Sequence, residues 1–240
     1  MNNFSQSMIA KLRFFAVLCI VSLTFNVYAQ EEPSDKIEFS GGADLMSRYV
    51  WRGLEFEDSP SLQPYVEASY KGFKLGAWGA YKTTGSGFQE TDLYLSKSWK
   101  YVTIALWDYY AFDDGMQGDF FNYRKNETPH MLEGQLQLNA GEQFPLKFLA
   151  SWFFYGAAPD KSFYLELSYP LQITENSSLE AFCGFTPHQG YYADKAALVN
   201  VSLKFTKSVK VTDSFSLPFQ VSLINNPNTK DLFLVAGLSF

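Results

Sequence analysis

The chain has 240 residues, 47% of them apolar and 18% aromatic, and a formal charge of −6 from 19 basic and 25 acidic side chains. That acidic balance speaks against nucleic-acid binding, and richness in strand-forming residues without a low-complexity segment points to one all-β domain. Of its two cysteines, Cys19 falls in a leader and Cys183 stands alone after it, so no internal disulfide is expected.

At the N-terminus, Lys11 and Arg13 precede the apolar run Phe14–Leu23, and Val27-Tyr28-Ala29 supplies a cleavage position before Gln30. Charged, apolar and cleavage regions in that order predict a secretory signal peptide over residues 1–29 and one exported domain over 30–240. The apolar run is too short for a spanning helix, and no later stretch reaches that length. Cleavage would leave 17 of the 19 basic side chains against all 25 acidic ones, a formal charge of −8.

Period-two alternation then predicts about twelve strands. Lys36–Arg52 comes first, with Ile37, Phe39, Gly41, Ala43 and Leu45 on one face and Glu38, Ser40, Asp44, Arg48 and Arg52 on the other. Segments 62–70 and 73–82 form a hairpin over Lys71-Gly72, and 90–99 and 101–110 meet at Lys100. In 131–140, Leu132, Gly134, Leu136, Leu138 and Ala140 alternate with Glu133, Gln135, Gln137 and Asn139. Segments 146–155, 162–172, 179–186, 196–206, 214–224 and 231–240 complete the count. Pro218 interrupts the eleventh, where a bulge is expected. Lys97 is the clear charge on the apolar rows, joined by Asp108 if the fifth strand is phased on Ile104 and Leu106.

Segments of 9–11 residues suit tilted strands crossing a bilayer, where a charge at mid-depth on the lipid face costs about 2–4 kcal/mol. Aromatics gather near both sets of strand ends, and compact turns alternate with longer loops. These features predict a transmembrane up-and-down antiparallel β-barrel in the outer membrane of a Gram-negative bacterium, with apolar rows toward lipid and polar rows toward the lumen. The last strand, ending on Phe240, is read as the segment offered to the barrel-assembly machinery.

Arg48 and Arg52, placed four apart on one strand, would lie on one inward face about 13 Å apart. With Glu67, Lys74, Asp92, Glu133 and Glu166 they form the predicted lumen-lining set. The same charges support two readings: a selective constriction in a narrow passive channel for small solutes, or a ladder of ion pairs that plugs the barrel. Around these arginines, Ser47-Arg48-Tyr49-Val50-Trp51-Arg52-Gly53, then Gln63-Pro64, then Gly76-Ala77-Trp78-Gly79, resembles the uncharacterised bacterial family Gcw_chp. The resemblance covers the first quarter of the chain and implies an outer-membrane barrel with no established activity.

His130 in Thr128-Pro129-His130 and His188 in Thr186-Pro187-His188 fall at the predicted outer rim, where a lipid hydrolase would place its base. No serine adjoins either one in sequence, and no enzymatic activity, cofactor or metal site is predicted. Acidic clusters at Glu55, Glu57, Asp58 and at Asp113, Asp114, Asp119 lack the spacing of a calcium loop. The sequence reading is a passive porin-like channel, with a plugged partner-binding barrel as its main alternative and a rim hydrolase as a third.

Overall fold

The computed structural model describes residues 35–113, 119–125, 127–141, 143–158, 162–213 and 215–240. The signal peptide predicted over 1–29 and the acidic residue Asp114 lie outside the described residues. Fourteen strands are present among the described residues: β1 (Glu38–Met46), β2 (Tyr49–Trp51), β3 (Leu54–Glu57), β4 (Ser61–Tyr70), β5 (Phe73–Lys82), β6 (Phe88–Ser98) and β7 (Val102–Asp113). They continue with β8 (His130–Asn139), β9 (Lys147–Gly156), β10 (Phe163–Thr174), β11 (Ser177–Thr186), β12 (Ala197–Lys210), β13 (Ser216–Asn226) and β14 (Asp231–Ser239). Twelve of them, β1 and β4 to β14, form one closed antiparallel barrel in which each strand pairs with its sequence neighbours; β2 and β3 form a separate two-stranded sheet.

The alternation that predicts the strands also sets their faces. Val66, Leu75, Leu95, Ile104, Leu106, Leu138, Leu167, Leu203, Leu223 and Leu234 are all exposed on the outside of the wall. Their neighbours Glu67, Ser96, Trp107, Gln137, Ser168, Ser202 and Ser222 are turned inward and more buried. Tyr70, Phe73, Trp99, Tyr101, Phe144, Tyr169, Phe215 and Phe240 are exposed at the end of the barrel that carries the short turns. Trp152, Phe154 and Phe163 are exposed at the opposite end, which carries the longer loops.

The outward charges sit where they meet partners. Lys97, near the short-turn end, places its ammonium 4.3 Å from the Phe73 ring centre and donates to the Lys71 carbonyl. Strand β12 runs on beyond the predicted segment to Lys210, which adds Lys207 to the outer row in phase with Val201, Leu203 and Phe205.

Three expectations need correction. The first strand stops at Met46 rather than running to Arg52, because the chain turns inward at Ser47, whose amide donates to the Ala236 carbonyl (2.8 Å) and whose hydroxyl accepts from the Ala236 amide (3.0 Å). In β12 a register shift opposite Gly184 and Phe185 makes Leu198 the exposed residue and turns Val199 inward, reversing the expected phase at that end. Pro218 needs no bulge: the β12–β13 register is regular through Ser208↔Pro218, and the β14 ladder begins only at Phe219.

The barrel closes over a short seam. Strand β1 pairs with β4 over nine residues but with β14 over three, Asp44↔Ser239, Leu45↔Leu238 and Met46↔Gly237, extended by reciprocal amide–carbonyl bonds between Ala43 and Phe240. Directly opposed residues in an antiparallel pair lie within disulfide reach. With Cys183 replaced by serine, the pair Leu45→Cys and Leu238→Cys is expected to form an intramolecular cross-link under mild oxidation, read as a mobility shift on a non-reducing gel. A pair placed on non-adjacent strands is expected to give no such shift.

Candidate functional site

The site is built by the two small strands that leave the wall. Strands β2 and β3 pair as Val50↔Glu55 and Trp51↔Leu54, so the turn between them has only two central residues, Arg52 and Gly53. Both have positive φ, 51° and 81°, the combination a two-residue type I′ hairpin requires. At Gly53 the tip meets the inner wall so closely that a Cβ would lie 1.9 Å from the Val199 carbonyl oxygen. On its other side the Gly53 carbonyl accepts from Asn226 Nδ2 at 3.1 Å. The hairpin therefore projects into the lumen, rooted between β1 and β4, with its tip against β12 and β13.

Arg52, at the tip, is the centre of the contact. Its guanidinium meets Glu133 of β8 in a two-pronged pair, Nη1 to Oε1 at 2.5 Å and Nη2 to Oε2 at 3.0 Å. Nη1 also donates to the Tyr192 hydroxyl at 2.5 Å. The guanidinium carbon lies 4.2 Å from the Trp51 ring centre and 4.5 Å from that of Tyr164, giving a cation sandwiched by aromatic faces. Glu133 is further held by Tyr109 Oη (2.9 Å) and Gln135 Nε2 (2.6 Å). The two side chains are 7% and 0% exposed. A charge pair this dry persists only when its hydrogen-bonding capacity is met, and here both partners are surrounded by donors, acceptors and rings.

Around the pair lies a cluster of buried apolar residues inside the barrel: Tyr109, Phe153, Tyr164, Tyr192, Ala193 and Val199, with Trp51 and Leu54 of the hairpin packed on it. Tyr192 comes from the loop between β11 and β12, so a second loop is folded inward to meet the hairpin. Burial raises the pKa of the Tyr192 hydroxyl, which keeps it protonated and able to bond within the cluster. The hairpin's root is tied down as well. Tyr49 Oη donates to Glu90 of β6 at 2.7 Å, and Lys82 of β5 pairs with Glu57 at 2.8 Å. Tyr49 and Phe56 pack against Phe88, with ring centres 6.2 and 5.0 Å away.

The predicted lumen-lining residues divide accordingly. Glu67, Lys74, Asp92, Glu133 and Glu166 project inward from β4, β5, β6, β8 and β10. Lys74 pairs with Glu67 at 2.9 Å, and Glu166 accepts from Tyr164 and from Asn200. Arg48 and Arg52 do not share a wall strand: both ride on the hairpin, and Arg48 bonds Glu55 across it at 2.5 Å. The reason is the chain reversal at Arg52-Gly53. The partners Trp51, Tyr109, Tyr164 and Tyr192 went unpredicted, although the apolar run Tyr191-Tyr192-Ala193 inside a polar loop was a usable signal.

Beneath the hairpin, toward the short-turn end, the inward wall encloses a cavity of about 370 Å³. Trp78, Trp107, Tyr109 and Asp92 line one side of it, Lys204, Gln220 and Ser222 the other, and Arg48, Tyr49 and Trp51 of the hairpin bound it.

The histidines are placed differently from each other. His130 is on the outside of the wall but fully buried, because residues 120–123 fold over it: Tyr123 stacks on the ring at 4.1 Å and Phe120 packs on it edge-on. Its Nδ1 meets Asp108 Oδ1 and its Nε2 the Phe120 carbonyl, each at 2.7 Å, so both ring nitrogens are engaged and neither meets a serine. Asp108 also accepts from Tyr123 Oη at 2.6 Å, which explains an outward carboxylate on an apolar row. Burial, and after it the hydrogen bond to Asp108, lifts the Tyr123 phenol to about 12. His188 is exposed and bonds the Gln189 carbonyl. Among the described residues no three His, Cys, Asp or Glu side chains are grouped to hold a metal ion.

No protein-family model matches the chain, and no curated protein matches it.

Removing one member of the buried pair strands the other charge, at a cost of about 3–5 kcal/mol. Arg52→Ala is therefore expected to lower the thermal midpoint in detergent markedly, and Arg52→Met with Glu133→Gln to lower it less than Arg52→Ala does. Gly53→Ala, with φ positive and no room for a Cβ, is expected to undock the hairpin, read as faster proteolytic cleavage between residues 47 and 60.

Proposed function

We propose that this chain is an exported outer-membrane barrel whose twelve strands span the bilayer and whose lumen is plugged by its own β2–β3 hairpin. It acts in the envelope by binding rather than as an open pore. Its outward rows of aliphatic side chains, with aromatics toward both ends, support the bilayer reading. The leader-like residue pattern over 1–29 agrees with export. The resemblance to the Gcw_chp family fits this reading, since Ser47–Gly53, which carries it, is the first half of the plugging hairpin.

One observation favours the plugged reading over the passive channel: the dry cluster centred on Arg52 and Glu133. A porin keeps a hydrated path along its axis, lined by charges that water screens. Here the inward side chains of β7, β8, β9, β10 and β12 are buried at one level against Trp51, Arg52 and the Tyr192 loop. Of the charges that would line a selective constriction, Arg52 is paired with Glu133, Arg48 with Glu55 and Lys74 with Glu67.

Planar-bilayer recording tests the plug. The protein as isolated is expected to show no regular unitary conductance, and deletion of residues 48–57 joined by a short glycine linker is expected to produce stable open steps. Regular steps from the intact protein, with permeation of small sugars into liposomes, would mean an open channel and overturn the plug. Membrane insertion is checked separately: Leu95→Arg, at mid-height on the outer face, is expected to cost about 2–4 kcal/mol of folding stability in lipid, whereas Lys97→Leu, near the end, is expected to change little.

A further inference from the structure

The cavity under the hairpin carries chemistry that plugging does not need. Asp92 is 1% exposed, lines this cavity, and has a single hydrogen bond among the described residues, a long one of 3.3 Å from the Tyr110 amide to Oδ1. No lysine, arginine or histidine of the described residues is paired with it. Glu90, two residues before it on the same inward face of β6, is also buried; it has the Tyr49 hydroxyl at 2.7 Å and likewise no cation. Two carboxylates on alternate positions of one strand stand about 7 Å apart, and without a countercharge their burial is unfavourable.

What surrounds Asp92 is aromatic. Trp78 and Tyr49, with ring centres 5.6 Å apart, and Trp107 and Tyr109, stacked 5.7 Å apart, line the same space. Two cations line the cavity without pairing with Asp92: Arg48 is bonded to Glu55, and Lys204 projects from β12, across the barrel from β6. A buried carboxylate beside several indole and phenol faces is the arrangement that recognises an organic ammonium ion. The rings attract the diffuse charge through their quadrupoles and the carboxylate supplies the countercharge. A small inorganic cation would keep its water and gain little from the rings. A neutral sugar would use the rings and the glutamines but leave Asp92 unanswered. The volume, about 370 Å³, lies within the range of small-ligand sites.

We propose that this cavity is a binding site for a small organic ammonium ion, held by Asp92 against Trp78, Trp107 and Tyr109, with the hairpin forming its outer wall. The site goes beyond the plug and is read by a different measurement, so conductance in the intact protein would not bear on it. Because three tryptophans line the cavity, intrinsic fluorescence of the full-length barrel in detergent reports on it directly. Choline chloride, titrated against sodium chloride at equal ionic strength, is expected to give a saturable change, and glucose over the same range none. Asp92→Asn, which keeps the acceptor for the Tyr110 amide, is expected to weaken choline binding at least ten-fold. Trp107→Leu is expected to weaken it comparably and serves as the second variant should the first not fold, folding being checked by heat-modifiable gel migration. No saturable response to choline, equal affinity in a folded Asp92→Asn or Trp107→Leu variant, or a response to glucose in place of choline would each overturn the assignment.

Discussion

One ion pair organises the interior of this barrel. Arg52 and Glu133 meet through two hydrogen bonds in a space from which water is excluded, and every inward excursion of the chain is arranged around them. Energetically such a pair is close to neutral against a well-packed apolar substitute, because desolvation offsets the attraction. Its contribution is geometric. A guanidinium held edge-on by a carboxylate and face-on by Trp51 and Tyr164 has one admissible orientation, so the hairpin tip has one admissible position. The positive φ at Arg52 is the strain accepted to place it there.

The wall around it obeys a simpler rule. Alternate side chains face opposite ways along a strand, so each strand carries an apolar row out and a polar or aromatic row in. Departures from that rule are local and compensated. The register shift in β12 turns Val199 inward, under the hairpin tip, and the outward Asp108 is hydrogen-bonded to His130 and to Tyr123. With the outside apolar and the lumen filled at one level, the inner wall below the hairpin is left as a cavity in which Asp92 of β6 and Lys204 of β12 stand on opposite strands.

Much of the wall is legible in the sequence, because period two and turn residues are local signals. The row Leu132 to Leu138 and the Lys71-Gly72 corner need no tertiary information. The interior is not legible in the same way. The alternation of Arg48 and Arg52 reads as a continuation of the first strand, and Arg-Gly is not among the strong hairpin dipeptides, so nothing local marks the reversal. The side chains that receive Arg52 come from residues 109, 133, 164 and 192, separations of 57 to 140 positions that only the closed topology brings together. Glu133 was visible as an inward acid. Its selection over Glu67, Asp92 and Glu166 depends on how far a hairpin with one two-residue turn reaches across twelve strands.

The central claim, that the segment around Arg52 is a built part of the interior rather than a surface loop, is tested most directly by hydrogen exchange. In lipid bicelles, amides within residues 49–57 are expected to exchange as slowly as those of neighbouring wall strands, and to lose that protection when Arg52 is replaced. Exchange at the rate of the exposed residues 83–86, in the unaltered protein, would contradict it.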